Sequence, residues 1–336
     1  MMVYRFLVSI LILLNISRPR PIHGRDEPAI ISWREGSKKH ALSLSEGSVQ
    51  QGRSHFDARS VLSVRKHGKI ARTPLAAFFN IPILILWLLT SCTTAPPRIV
   101  DLTYPFDEQT VYWPKNKHFH RQDTARGMTT NGYWYASGTF SASEHGGTHL
   151  DAPVHFSSSG MSLDEISVKS LLGPAIVLDI HEACQENADY ELTVQDIHNW
   201  EQQYGLIERN DLVLLRTGWG AYWPDPQQYL GSTTPDNSLT LHFPGFSAEA
   251  MTFLVHERQI RGVGIDTASM DPGQSKDFQA HQILTKANRY GIENVAYLDQ
   301  VPPRGATVYA LPIKIKGGTG GPVRMIALIP QQPWTF

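Results

Sequence analysis

The run Glu144-His145-Gly146-Gly147-Thr148-His149-Leu150-Asp151-Ala152-Pro153-Val154-His155 constrains this chain more than any other segment. It sets three imidazoles and a carboxylate, those of His145, His149, Asp151 and His155, on positions of one parity. In an extended chain such side chains project from a single face. A helix would also bring His145 and His149 together, but Gly146-Gly147 weakens a helix there and Pro153 breaks it. The segment therefore reads as a strand, or a strand with a bend, presenting a row of metal ligands. Imidazole nitrogen combined with carboxylate oxygen suits a borderline divalent ion such as Zn²⁺ or Mn²⁺.

Distance limits how such a row can work. On a straight strand, four residues span roughly 13 Å at about 3.3 Å each, whereas a Zn–N bond is about 2.1 Å long. Either the paired glycines bend the chain, or the row serves two ions with Asp151 between them. A lone histidine on an apolar face is usually a hydrogen-bonded interior residue. Four ligand-type side chains in register beside two glycines are better explained by a metal.

Charge is divided unevenly along the chain. Residues 1–96 carry 13 Lys and Arg against 5 Asp and Glu, and the remainder 17 against 26. An acidic body argues against nucleic acid as the partner. Only two cysteines are present, Cys92 and Cys184, so any metal must be held by nitrogen and oxygen.

Residues 1–24 read as a secretory signal, in which Arg5 precedes the apolar run Phe6 to Leu14. A basic, serine-rich leader follows and is expected to be disordered. Within it lies a second apolar segment, residues 75–91, a candidate membrane tether. Export is the expectation, to a secreted or a membrane-anchored form. Residues 97–336 form the globular part.

Apolar, β-rich runs recur there: Ile99–Tyr104, Tyr133–Phe140, Ala175–Ile180, Asp211–Thr217, Arg261–Asp266, Val308–Ile315 and Arg324–Ile329. Helical patterns separate them at Thr193–Tyr204, Ser247–Arg258 and Gln279–Asn288. The fold class is α/β, one domain built on a mixed sheet. Asp266 to Asp271 leaves a buried strand for a polar loop, at the kind of strand end that faces a crevice. His281 opens a helix, and Glu293 is expected to open an apolar strand, Val295–Leu298.

The segment His145 to His155 resembles the H-x-G-T-H-x-D-x-P-x-H signature of the cyclase-type metal-dependent hydrolases, which include bacterial-type kynurenine formamidases and isatin hydrolases. Further matches follow at Arg216-Thr217-Gly218-Trp219, Asp266 to Asp271, Ser275 to His281, Glu293-Asn294-Val295 and Gly317 to Arg324. The resemblance spans about Ile99 to Pro330. It implies a single domain of the swivelling β/β/α type and a homodimer. It also implies a centre of two divalent ions, zinc or manganese, on His145, His149, Asp151, His281 and Glu293. His155 is implied as a proton-transfer group beside the metals.

The activity so implied is hydrolysis of a small aryl amide, arylformamidase-like in the first instance, with N-formylkynurenine cut to kynurenine and formate. A cyclic amide hydrolase of the isatin type is the alternative, and a secreted, non-catalytic metal-binding or ligand-binding homologue is a further one. Tyr112, Trp113, Phe119, Tyr133, Trp134 and Tyr135 precede the row and are candidates to sandwich a flat ring, or else core or interface residues. Lys316 to Gly321 is glycine-rich but lacks a phosphate loop's G-K-[ST] ending, and reads as a turn between strands.

Overall fold

A computed structural model describes residues 95–331. The signal-like segment 1–24 and the candidate tether 75–91 lie outside the described residues, as does the basic leader up to residue 94. Among the described residues, no helix is long and apolar enough to cross a membrane.

The chain opens with β1 (Arg98–Asp101) and a hairpin of β2 (His120–Met128) and β3 (Trp134–Ser141), followed by the short β4 (His149–Asp151). Next come β5 (Leu172–Asp179), α1 (His181–Glu186), β6 (Glu191–Leu192), α2 (Val194–Tyr204) and β7 (Leu212–Arg216). After α3 (Pro226–Tyr229) and β8 (Gly245–Phe246) stand α4 (Ala248–His256), β9 (Gly262–Ile265), α5 (Gln279–Lys286) and β10 (Tyr290–Glu293). The antiparallel pair β11 (Ala306–Pro312) and β12 (Gly320–Ile329) ends the fold.

Strands β5, β7, β9 and β10 run parallel, joined by helical crossovers. β11 continues this sheet antiparallel to β5, and β12 follows β11. β4 then pairs with both β12 and β10, which closes seven strands into a ring, while β1 lies along the far half of β12. The expected single mixed-sheet α/β domain is present, and its sheet is closed.

Alternation along the strands explains why two layers form. Leu212 and Leu214 face one way and Val213 and Leu215 the other, and all four are buried. The first pair joins Leu150, Ile292, Val308 and Met325 inside the ring. The second packs outward under Ile197, Trp200, Met251, Leu254 and Leu284 of the helices. A strand covered on both faces needs an unbroken apolar run, which is why these strands stood out in the sequence. The helix α2 begins at the expected Thr193, whose hydroxyl and backbone form a capping box with Asp196.

The ligand row is bent at both ends. β4 takes only His149, Leu150 and Asp151; His145 precedes the turn at Gly146-Gly147, and His155 ends a 3₁₀ turn, Pro153–His155. Gly147 sits at φ 57°, in the left-handed region, and a Cβ there would come 2.6 Å from Phe106. The glycines thus do the bending that the spacing demanded.

One expectation is corrected. Glu293 closes β10 and does not open a strand over Val295–Leu298. Asn294, at φ 54°, turns the chain aside, and Val295 and Ala296 bond to Ile265 and Leu102 as buried loop. Burial alone accounts for their apolar character.

Gly147→Ala should lower stability by about 2 kcal/mol, the cost of a left-handed alanine plus crowding of Phe106. In a domain of this size that is a fall of about 5 °C in Tm, readable by thermal denaturation. An unchanged Tm would show that this bend carries no strain.

Candidate metal centre

Antiparallel pairing of β4 with β10 sets Glu293 directly opposite His149, and Gly291 opposite Asp151. His149 and Asp151, two residues apart, point to the same side. The third side of the site is α5, which carries His281 in its first turn. Asp271, on the loop after β9, accepts from the backbone N–H groups of Ala280 and His281 and so anchors the start of that helix.

Asp151 occupies the centre. Its Oδ1 lies 2.7 Å from His145 Nδ1 and 3.1 Å from His149 Nε2, and its Oδ2 lies 3.2 Å from His281 Nε2. Glu293 places Oε1 3.2 Å from His281 Nε2 and Oε2 3.5 Å from His149 Nε2. All five residues read as ligands in the sequence are therefore brought together, and apart from His145 all are buried. His155 stacks on His145 at 3.8 Å between ring centres, and one of its nitrogens lies within 4.8 Å of donor atoms of Asp151 and His281.

Two of the imidazoles have their tautomers set by acceptors outside the cluster. His149 Nδ1 donates to the Gly147 carbonyl at 2.9 Å, and that carbonyl also accepts from Asn294 Nδ2 at 2.8 Å. His281 Nδ1 donates to Asp271 at 2.6 Å. Both therefore turn Nε2 toward Asp151 and Glu293. His149 Nε2 is buried and makes no hydrogen bond, although two carboxylates face it. A lone pair aimed at buried anionic oxygens is repulsive unless positive charge lies between them.

A proton or a cation can fill that role. Burial alone would push His149 down, but Asp151 and Glu293 outweigh it and lift the imidazole to about 9. Burial likewise opposes charge on His281, yet Asp151, Asp271 and Glu293 raise it well above the ordinary histidine range. Asp151 is also penalised by burial, but His145 and His149 hold it well below the usual carboxylate range. His155 behaves oppositely: burial lowers it to about 4, because the Asp151 charge does not offset its desolvation among other imidazoles. The donor set, the converging distances and the orphaned nitrogen all fit a divalent cation.

A cavity of about 250 Å³ opens on the cluster, walled by Tyr112, Trp113, Phe156 and Phe278. Of the aromatics singled out in the sequence, Tyr112 and Trp113 reach it. Phe119 packs on Phe106 and Phe140, and Tyr133, Trp134 and Tyr135 lie exposed on the hairpin. Sequence reasoning missed the orienting role of Asp271, as well as Phe156 and Phe278. Phe156 directly follows His155, and that adjacency was the available signal.

Comparison with known proteins shows which family the chain is similar to. The cyclase family profile matches residues 100–272. Isatin hydrolase of Roseibium aggregatum is 33% identical over 211 residues, covering 60% of this chain and 78% of that protein. Kynurenine formamidase of Sphingopyxis alaskensis is 30% identical over 232 residues, 68% of this chain and 97% of that one. The solved structure of isatin hydrolase A from Labrenzia aggregata, bound to benzyl benzoate, superposes with a TM-score of 0.65 at 34% identity, covering 75% of this chain and all of that one.

Asp271→Asn keeps the size of the side chain but weakens the acceptor that orients His281. Divalent-ion affinity should fall by about 10–100-fold, measured by titrating the apoprotein with Zn²⁺ against a chromophoric chelator. Wild-type affinity would show that His281 needs no such support.

Proposed function

Because the chain belongs to the cyclase family of metal-dependent hydrolases, we propose that it cleaves the C–N bond of a compact, uncharged aryl amide, using divalent cations held by His145, His149, Asp151, His281 and Glu293. The observation that carries this reading is the cavity, whose aromatic walls end directly on the donor cluster. Asp151 turns one oxygen toward His145 and His149 and the other toward His281, and with Glu293 these residues would hold divalent ions, zinc or manganese, two per subunit.

When bound, such ions supply Lewis acidity that lowers the pKa of water and polarises a carbonyl. The protein supplies the rest. Tyr112, Trp113, Phe156 and Phe278 give a flat ring apolar faces to lie against and exclude water from the cluster. His155, kept neutral by burial, has a lone pair free to take the proton of the attacking water. It then returns that proton to the amide nitrogen, which leaves as a neutral amine.

The lining favours one substrate class. No lysine or arginine lines the cavity among the described residues. An N-formylkynurenine molecule carries an α-amino-acid end whose charges want partners, whereas a cyclic amide such as isatin carries none. A ring-opening, isatin-hydrolase-like activity is therefore the preferred reading, with the formamidase-like one as its competitor.

Assaying both compounds with purified, metal-loaded protein separates them. Isatin should be hydrolysed with a kcat/KM at least about tenfold higher, and a chelator should abolish turnover. Equal or better use of N-formylkynurenine would hand the assignment to the formamidase class. Failure on both would favour a binding protein without turnover. His155→Gln should retain the metal while kcat falls by about 10²–10⁴-fold; wild-type speed would remove His155 from proton transfer.

A homodimer belongs to the same proposal. The β2–β3 hairpin pairs with no other strand among the described residues and exposes Met128, Trp134 and Phe140. An isolated hairpin is marginally stable in water, so a second copy is the occupant we assign to it. Light scattering should give twice the chain mass, and Trp134→Glu should halve it; a monomeric wild type would overturn this.

A further inference from the structure

We propose that Glu144 and Thr319 act together as positioning residues that hold the proton of His145 on Nε2. His145 then offers Nδ1 to the metal, whereas His149 and His281 offer Nε2. The proposal rests on the metal-centre reading above and adds which nitrogen each histidine uses.

It follows from counting hydrogens. Thr319 Oγ1 lies 2.6 Å from Glu144 Oε2, and the Thr319 backbone N–H donates to that same oxygen at 3.0 Å. An ionised carboxylate only accepts, so the single hydroxyl hydrogen of Thr319 is committed to Glu144. His145 Nε2 lies 2.9 Å from the same hydroxyl oxygen. With its hydrogen already spent, that oxygen can only accept, and Nε2 must carry the proton. In the neutral ring Nδ1 is then bare, and it faces Asp151 Oδ1 at 2.7 Å. Two lone pairs facing each other at that distance mark a place for a cation, which the metal-centre reading supplies.

The glycine-rich turn exists to deliver this contact. Thr319 sits in the connection between β11 and β12, and the turn is pinned on both sides. Ala152 N–H donates to Thr319 O and Leu163 N–H to Gly318 O, each at 2.9 Å. A Cβ on Gly320 would come 2.6 Å from His145 Cε1, so only glycine lets the ring lie against the turn. A turn that merely joined two strands would need neither the hydroxyl nor that close approach.

The test uses the full-length protein loaded with Zn²⁺ and labelled with ¹⁵N-histidine. Long-range ¹H–¹⁵N spectra report which imidazole nitrogen bears hydrogen, and His145→Gln assigns the signals of residue 145. We expect one zinc-bound ring protonated at Nε2, that of His145, and two protonated at Nδ1. Thr319→Val should scramble the His145 pattern and weaken Zn²⁺ binding by about 10–100-fold, while Thr319→Ser restores both. Thermal denaturation of each variant separates a folding defect from lost positioning. If zinc binds but all three rings are protonated at Nδ1, the proposal falls and the metal reading stands. Wild-type zinc affinity and an unaltered His145 pattern in Thr319→Val would overturn it as well. If the protein binds no zinc, the metal reading itself fails, and this one with it.

Discussion

Asp151 has three imidazole nitrogens within 3.2 Å of its two oxygens, and it is almost wholly shielded from water. Two further carboxylates, Glu293 and Asp271, are buried beside it. Collecting that much negative charge in a low-dielectric interior is very unfavourable unless positive charge is collected with it. Much of the local architecture answers this demand. The glycine bend returns His145 to Asp151, the β4–β10 register sets His149 against Glu293, and the capped start of α5 delivers His281.

The same charge balance explains why neighbouring histidines behave so differently. His149 faces two carboxylates and His281 three, and both are lifted, whereas His155 gains too little from Asp151 to repay its desolvation and is lowered. One short segment thus holds imidazoles of opposite proton affinity, His149 and His155.

Much of the fold was legible because its strands are covered on both faces or terminated by strong signals. Leu212 to Leu215 could hardly be anything but a buried strand, and the Thr193–Asp196 capping box marked a helix start. The β2 strand was not legible, since His120 to Met128 is polar and largely exposed, with no burial to impose a pattern. Glu293 was placed at the wrong end of its strand because Val295 and Ala296 are buried as loop, and apolar composition reports burial before it reports conformation. The cluster of His145, His149, Asp151, His281 and Glu293 was readable as candidate donors, since residue type and spacing are local properties.

By itself the sequence determined the donor set: nitrogen and oxygen ligands only, crowded around a glycine pair, with a second group far along the chain. Tertiary structure alone decided how each donor is used. The hydroxyl beside His145 Nε2 comes from a residue 174 positions away, and Asp271 reaches His281 only because a loop folds back over the helix start. A side chain's identity is local, but its tautomer, its charge and the wall of the cavity beside it depend on what other segments bring within 3 Å. Spacing in sequence does not encode those distances.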